Sequence, residues 1–132
     1  MADTGAIMTE LSLEETLRSM QSKLQGIIPD FEIEIKAELA FEINQLKKEM
    51  NAIILGHNYM EPALYHSVPD KVGDSLHLSA VSAKTDADII LFCGVWFMGE
   101  TAKILSPQKT VLVPSKEAGC SIAEGINAAD VR

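Results

Sequence analysis

The side chains of this 132-residue sequence that can do chemistry fall in four short stretches. His57, Asn58 and Tyr59 follow Gly56 and place an imidazole, an amide and a phenol within one turn. Such a set can hold a polar substrate and move protons, although a lone histidine is more often a hydrogen-bonded structural residue. Gly73-Asp74-Ser75 opens a helical pattern. Asp74 or Ser75 is a natural N-cap there, and the Ser75 hydroxyl beside the free N–H groups of a first turn suits an anion. Trp96, Phe97 and Met98, just after Gly94, are either core or the apolar wall of a pocket. Cys120, in Ala118-Gly119-Cys120-Ser121, stands in a loop entering a short helix, where exposed amides stabilise a thiolate. A nucleophile needs a base and a metal needs further ligands, and position 120 by itself supplies neither. Cys93 ends an apolar run and reads as a small buried hydrophobe. Lys103 reads as a solvated charge paired with Glu100.

The elements that must position these residues follow from periodicity. Residues 52–55, 88–93 and 110–113 are short Ile- and Val-rich runs with the character of buried parallel strands. Residues 75–84 read as a helix between the first two, and residues 100–105 as another that stops before Pro107. The order β-α-β-α-β predicts an α/β fold, a three-layer α/β/α domain with a short parallel sheet and helices on both faces. Ligands of such sheets bind outside the carboxyl ends of the strands, where His57, Phe97 and Cys120 follow. A helical N-terminal extension, residues 1–50, precedes the α/β domain of residues 51–132. In it, Ser12 and Glu15 match a capping box before Leu13, Leu17, Met20 and Leu24, with Gly26 as the stop. A second set, Ile35, Leu39, Ile43, Leu46 and Met50, predicts a long amphipathic helix with this set as its apolar face.

Composition narrows the partners. Hydrophobic residues make up 47% and aromatics only 5%, so the core is aliphatic and methionine-rich, and wholesale disorder is excluded. Eleven Lys and Arg against nineteen Asp and Glu give a net charge of −8. That charge argues against a nucleic-acid or anionic-membrane surface. No apolar stretch approaches a membrane span and the start lacks a signal-peptide pattern, which predicts a cytoplasmic protein. Two cysteines are no disulfide framework.

Together, His57-Asn58-Tyr59, Gly73-Asp74-Ser75-Leu76, the run from Gly94-Val95-Trp96-Phe97-Met98-Gly99 through Glu100-Thr101-Ala102-Lys103 to Ile104-Leu105-Ser106-Pro107, and Ala118-Gly119-Cys120-Ser121 closely resemble the quinolinate synthase family. The resemblance holds in register from about Leu46 to the end. It implies a transferase of pyridine nucleotide (NAD) biosynthesis that condenses iminosuccinate with dihydroxyacetone phosphate, releasing phosphate and water to form quinolinate. It also implies a functional link to L-aspartate oxidase. The family has three similar α/β domains around a pseudo-threefold axis, each giving one cysteine to a 4Fe-4S cluster whose fourth iron is open to substrate. On that template Cys120 is the first domain's metal ligand. His57 and Ser75 match contacts to the iminosuccinate carboxylates, Tyr59 a tyrosine of the condensation and dehydration steps, and Phe97 and Met98 the pocket wall. The implied chemistry is Lewis-acid catalysis with His57 and Tyr59 as catalytic groups. The chain then amounts to the first of the three domains, and by itself is expected neither to hold a stable cluster nor to turn over. Two other readings stay open: an iron-free α/β module binding anions at helix starts at Ser75 and Gly99, and an interaction domain led by the acidic helix of residues 32–50.

Overall fold

The capping box at Ser12 forms: the Glu15 N–H donates to Ser12 Oγ at 3.2 Å and the Ser12 N–H donates to Glu15 Oε2 at 2.8 Å. In the computed structural model, which describes residues 12–132, the chain then runs α1 (Leu13–Leu24), α2 (Asp30–Glu49), β1 (Ala52–His57), α3 (Pro62–Tyr65) and β2 (Lys71–Gly73). It continues through α4 (Ser75–Lys84), β3 (Ile89–Cys93), α5 (Trp96–Leu105), β4 (Thr110–Leu112) and α6 (Ser121–Glu124). Gly26, at φ +80°, takes the left-handed conformation just past the end of α1 that a side chain resists. No described helix is long and apolar enough to cross a membrane.

All strand pairs are parallel and the sheet order is β2-β1-β3-β4. The class is the α/β fold expected, with one difference. A fourth strand, β2, occupies one edge; three residues with a single apolar side chain, Val72, give no pattern to read. Helices cover both faces, as expected. Both long crossover helices, α4 and α5, lie on one face, where Leu78, Met98 and Ala102 pack on Leu55, Ile90 and Phe92. The opposite face is covered by α1, α2 and α3, whose Met20, Leu24, Ile33, Ala37, Ala40 and Ala63 pack with Ile54 and Cys93. Adjacent strand residues thus serve opposite layers, Ile54 one and Leu55 the other, as the pleat requires. Because both faces are covered, the strands read as unbroken apolar runs.

The second layer is keyed to the sheet by charge. Lys47 of α2 bonds Asp70 at 2.8 Å and the Val68 carbonyl at 3.0 Å. Asp70 extends the β1 ladder, its N–H donating to the Ile54 carbonyl and its Oδ2 accepting from the Ile54 N–H, both at 2.8 Å. The turn into β1 places Asn51 at φ +48°, and Asn51 tolerates that region while its amide donates to Asp88.

The orientation of α2 settles which of its faces meets the sheet, a point periodicity left open. Ile33, Ala37 and Ala40 face the sheet, whereas Ile35, Leu39, Ile43, Leu46 and Met50 are exposed on the other side. The periodic large side chains lost to a smaller set because alanines let α2 approach the sheet closely. Ile33→Ala should therefore cost about 2–4 kcal/mol in urea unfolding and Leu39→Ala less than about 1. Equal costs would mean the helix is rotated from the orientation described.

Candidate active site

The register of the sheet brings the chemical stretches to one end. His57 pairs with Gly73 across β1 and β2, and Gly56 pairs with Cys93 across β1 and β3. The residues that follow Gly73 and Cys93, namely the start of α4 and the Gly94-Val95 link into α5, therefore leave the sheet beside His57. β1 continues into the α3 layer while β3 continues into the α5 layer, so His57 and Gly94 flank the switch point where a crevice forms in open α/β sheets.

His57 is the last residue of β1 and is buried, 8% exposed, whereas Tyr59 is 90% exposed. Their rings lie 4.8 Å apart, tilted by 49°. The Tyr59 backbone N–H donates to His57 Nδ1 at 3.3 Å, and the Met60 N–H donates to the His57 carbonyl at 3.1 Å. The Asn58 N–H donates to the Gly73 carbonyl at 3.0 Å, which ties this turn to the entry of α4. Asp74 is the N-cap of α4, its Oδ1 accepting from the His77 N–H at 2.8 Å. Ser75 is the first residue of the helix and is exposed, with its hydroxyl left outside the cap.

Trp96, Phe97 and Met98 belong to the first turn of α5, which begins four residues earlier than its pattern suggested. The turn separates them. Met98 packs into the core, while Phe97 is 41% exposed and presents surface. The indole N–H of Trp96 donates to Glu100 at 2.8 Å. Glu100 is thus no partner for Lys103, contrary to expectation. Lys103 instead donates to the carbonyls of Pro107 and Lys109 at 2.9 and 2.7 Å, because carbonyls beyond a helix end need donors and a lysine one turn earlier reaches them.

Cys120 is half-buried at the N-cap of α6. Its loop is fastened to the start of α5 by the Trp96 N–H, which donates to the Ala118 carbonyl at 2.7 Å. The Glu124 carboxylate folds back over Gly119: a Cβ there would stand 1.8 Å from Glu124 Oε1, so a side chain at 119 would displace this flexible carboxylate. The bonds from Trp96 to Ala118 and from Tyr59 to His57 were beyond sequence reasoning, since backbone donors leave no side-chain signature. Among the described residues, no group of three or more His, Cys, Asp or Glu is arranged to hold a metal ion.

The two thiols differ as their settings dictate. Burial pushes the Cys93 thiol up from 9.0 to about 11. Its folded-state value exceeds the unfolded one, so the neutral thiol contributes stability that is present below pH 9 and is lost as pH rises through about 11. Cys93→Ala should therefore flatten the stability loss over that alkaline window, and alkylation of the native chain near neutrality should modify Cys120 well before Cys93. Faster labelling of Cys93 would contradict its burial.

The family model described as NadA: Quinolinate synthetase A protein matches residues 41–132. The chain is 52% identical over 113 residues to the quinolinate synthase of Sinorhizobium medicae, an alignment covering 86% of this chain and 32% of the relative. It is 48% identical over 120 residues to the quinolinate synthase of Caulobacter vibrioides, covering 91% and 33%. Over 89 residues it is 55% identical to that of Xylella fastidiosa, covering 67% and 26%. The chain spans about a third of the length of the curated relatives it matches.

Proposed function

The chain belongs to the quinolinate synthase family, and from that premise we propose that it carries the first part of a site that condenses iminosuccinate with dihydroxyacetone phosphate to quinolinate in NAD biosynthesis. The observation that carries this reading is the convergence of His57, Tyr59, the starts of α4 and α5, and the Cys120 loop at the carboxyl end of one parallel sheet. In this reading the imidazole of His57 and the hydroxyl of Ser75 bind the carboxylates of iminosuccinate. Tyr59 offers its phenol as the group that gives and takes protons during condensation and loss of water. Phe97 forms the apolar wall and excludes water, and Met98 of the same helical turn anchors that turn in the core. Glu100 fixes the indole of Trp96 beside that wall.

A 4Fe-4S cluster is the proposed cofactor. The chemistry of the donors fits one corner of such a site: Cys120 is a thiol, is partly accessible, and lies on a loop fastened to α5. When bound, the cluster supplies a Lewis-acidic iron that polarises a substrate oxygen. The further thiolates would come from the part of the family polypeptide that this chain does not span, which is why the 132 residues by themselves are expected to be inactive. A cytoplasmic setting and a functional link to L-aspartate oxidase complete the proposal.

The test joins this chain in frame to the remaining two thirds of the Sinorhizobium medicae relative and measures quinolinate formed under anaerobic conditions. Tyr59→Phe and His57→Ala should each lower turnover by about 10²–10⁴-fold while the visible absorbance of the cluster stays. Unchanged rates in both variants would remove these residues from the reaction.

A further inference from the structure

The hydrogen bond at His57 determines which end of its imidazole faces a ligand. Nδ1 accepts the Tyr59 N–H, and an acceptor nitrogen in a neutral imidazole is the one without a proton. The proton then resides on Nε2. No described residue bonds Nε2, yet no buried side-chain nitrogen among the described residues is left without a partner. Nε2 therefore keeps contact with solvent, and His57 itself stands at the end of the sheet where the candidate site lies. We propose that the Tyr59 backbone N–H fixes His57 as the Nε2–H tautomer, so that the ring presents a hydrogen-bond donor to a carboxylate or phosphate oxygen and offers no lone pair there for taking a proton.

The surroundings hold this arrangement. The ladder pairing of His57 with Gly73 fixes the backbone of the ring. The bonds from the Met60 N–H to the His57 carbonyl and from the Asn58 N–H to the Gly73 carbonyl close the turn that aims the Tyr59 N–H back at Nδ1. The tilted Tyr59 ring lies against the imidazole, 4.8 Å away between centroids. A neutral donor set in this way orients an anionic oxygen without exchanging its proton, and base chemistry at this end of the sheet falls to the Tyr59 phenol. The donor role rests on the proposed function; the tautomer does not.

Side-chain ¹H–¹⁵N correlation spectra of the ¹⁵N-labelled 132-residue chain, recorded at about pH 8 where imidazoles are neutral, read the tautomer directly. The expected result is a His57 ring with an unprotonated Nδ1 and a protonated Nε2. His66→Gln and His77→Gln, at less buried positions, assign the signal by elimination. Tyr59→Ala keeps the backbone N–H and should keep the spectrum. Tyr59→Pro removes it and should lower the ratio of the two tautomers by about 3- to 10-fold, the worth of one hydrogen bond. A proton on Nδ1 in the native chain, or a ratio unchanged in Tyr59→Pro, overturns the proposal. Failure of the fused protein to make quinolinate would sink the functional reading while leaving this spectrum as it is.

Discussion

Cys120→Ser, introduced into the fusion with the Sinorhizobium medicae remainder, is expected to abolish both cluster absorbance and quinolinate formation, a loss of more than about 10²-fold. The reason is local. Iron–sulfur clusters are held by thiolates, and a serine hydroxyl at the same place is neither ionised near neutrality nor soft enough to replace one. The fold should not notice. Cys120 is a helix N-cap whose side chain makes no capping bond and belongs to neither core cluster, so the stability of the chain should change by less than about 0.5 kcal/mol. Iron and acid-labile sulfide content, read alongside the thermal midpoint, separates the two effects. A variant that keeps a full cluster and its rate would show that Cys120 is not a ligand, whatever the family relationship.

Phe92→Ala is expected to cost about 3–5 kcal/mol, a large share of the 5–15 kcal/mol that holds a typical domain together. Phe92 is completely buried on β3 and packs with Leu55, Leu78, Ile90, Met98 and Ala102 between the sheet and the α4–α5 layer. Its ring also lies beneath the switch point: a Cβ on Gly94 would come within 3.2 Å of it. Truncation leaves a cavity directly under the start of α5, and the sheet cannot close over it because β1 and β4 hold β3 from both sides. The thermal midpoint, followed by circular dichroism, should fall by roughly 10–20 °C. A cost below about 1 kcal/mol would mean that this layer is not packed as described.

The sequence by itself determined the parallel sheet, the capped first helix and the identity of the chemical groups. It could do so because each depends on local signals: Ile- and Val-rich runs too short for helices, Ser12 three residues before Glu15, and motifs such as His57-Asn58-Tyr59 that are contiguous in the chain. The carboxyl-end rule directs these motifs to one end of the sheet, where the register gathers them.

What only the tertiary structure decided is how these pieces face one another. Periodicity marks an apolar stripe but not what it packs against. The Leu39 and Leu46 stripe therefore marked an amphipathic helix without saying which face meets the sheet, and close approach to the sheet selected the smaller Ala37 and Ala40. The same limit hid β2, whose three residues become a strand only because β1 offers an unpaired edge. It hid the separation of Phe97 from Met98, which follows from their sharing a helical turn and not a loop. The tautomer of His57 lies furthest from sequence, since it rests on a backbone N–H that every residue but proline carries and that only the closed turn at Tyr59 aims at Nδ1.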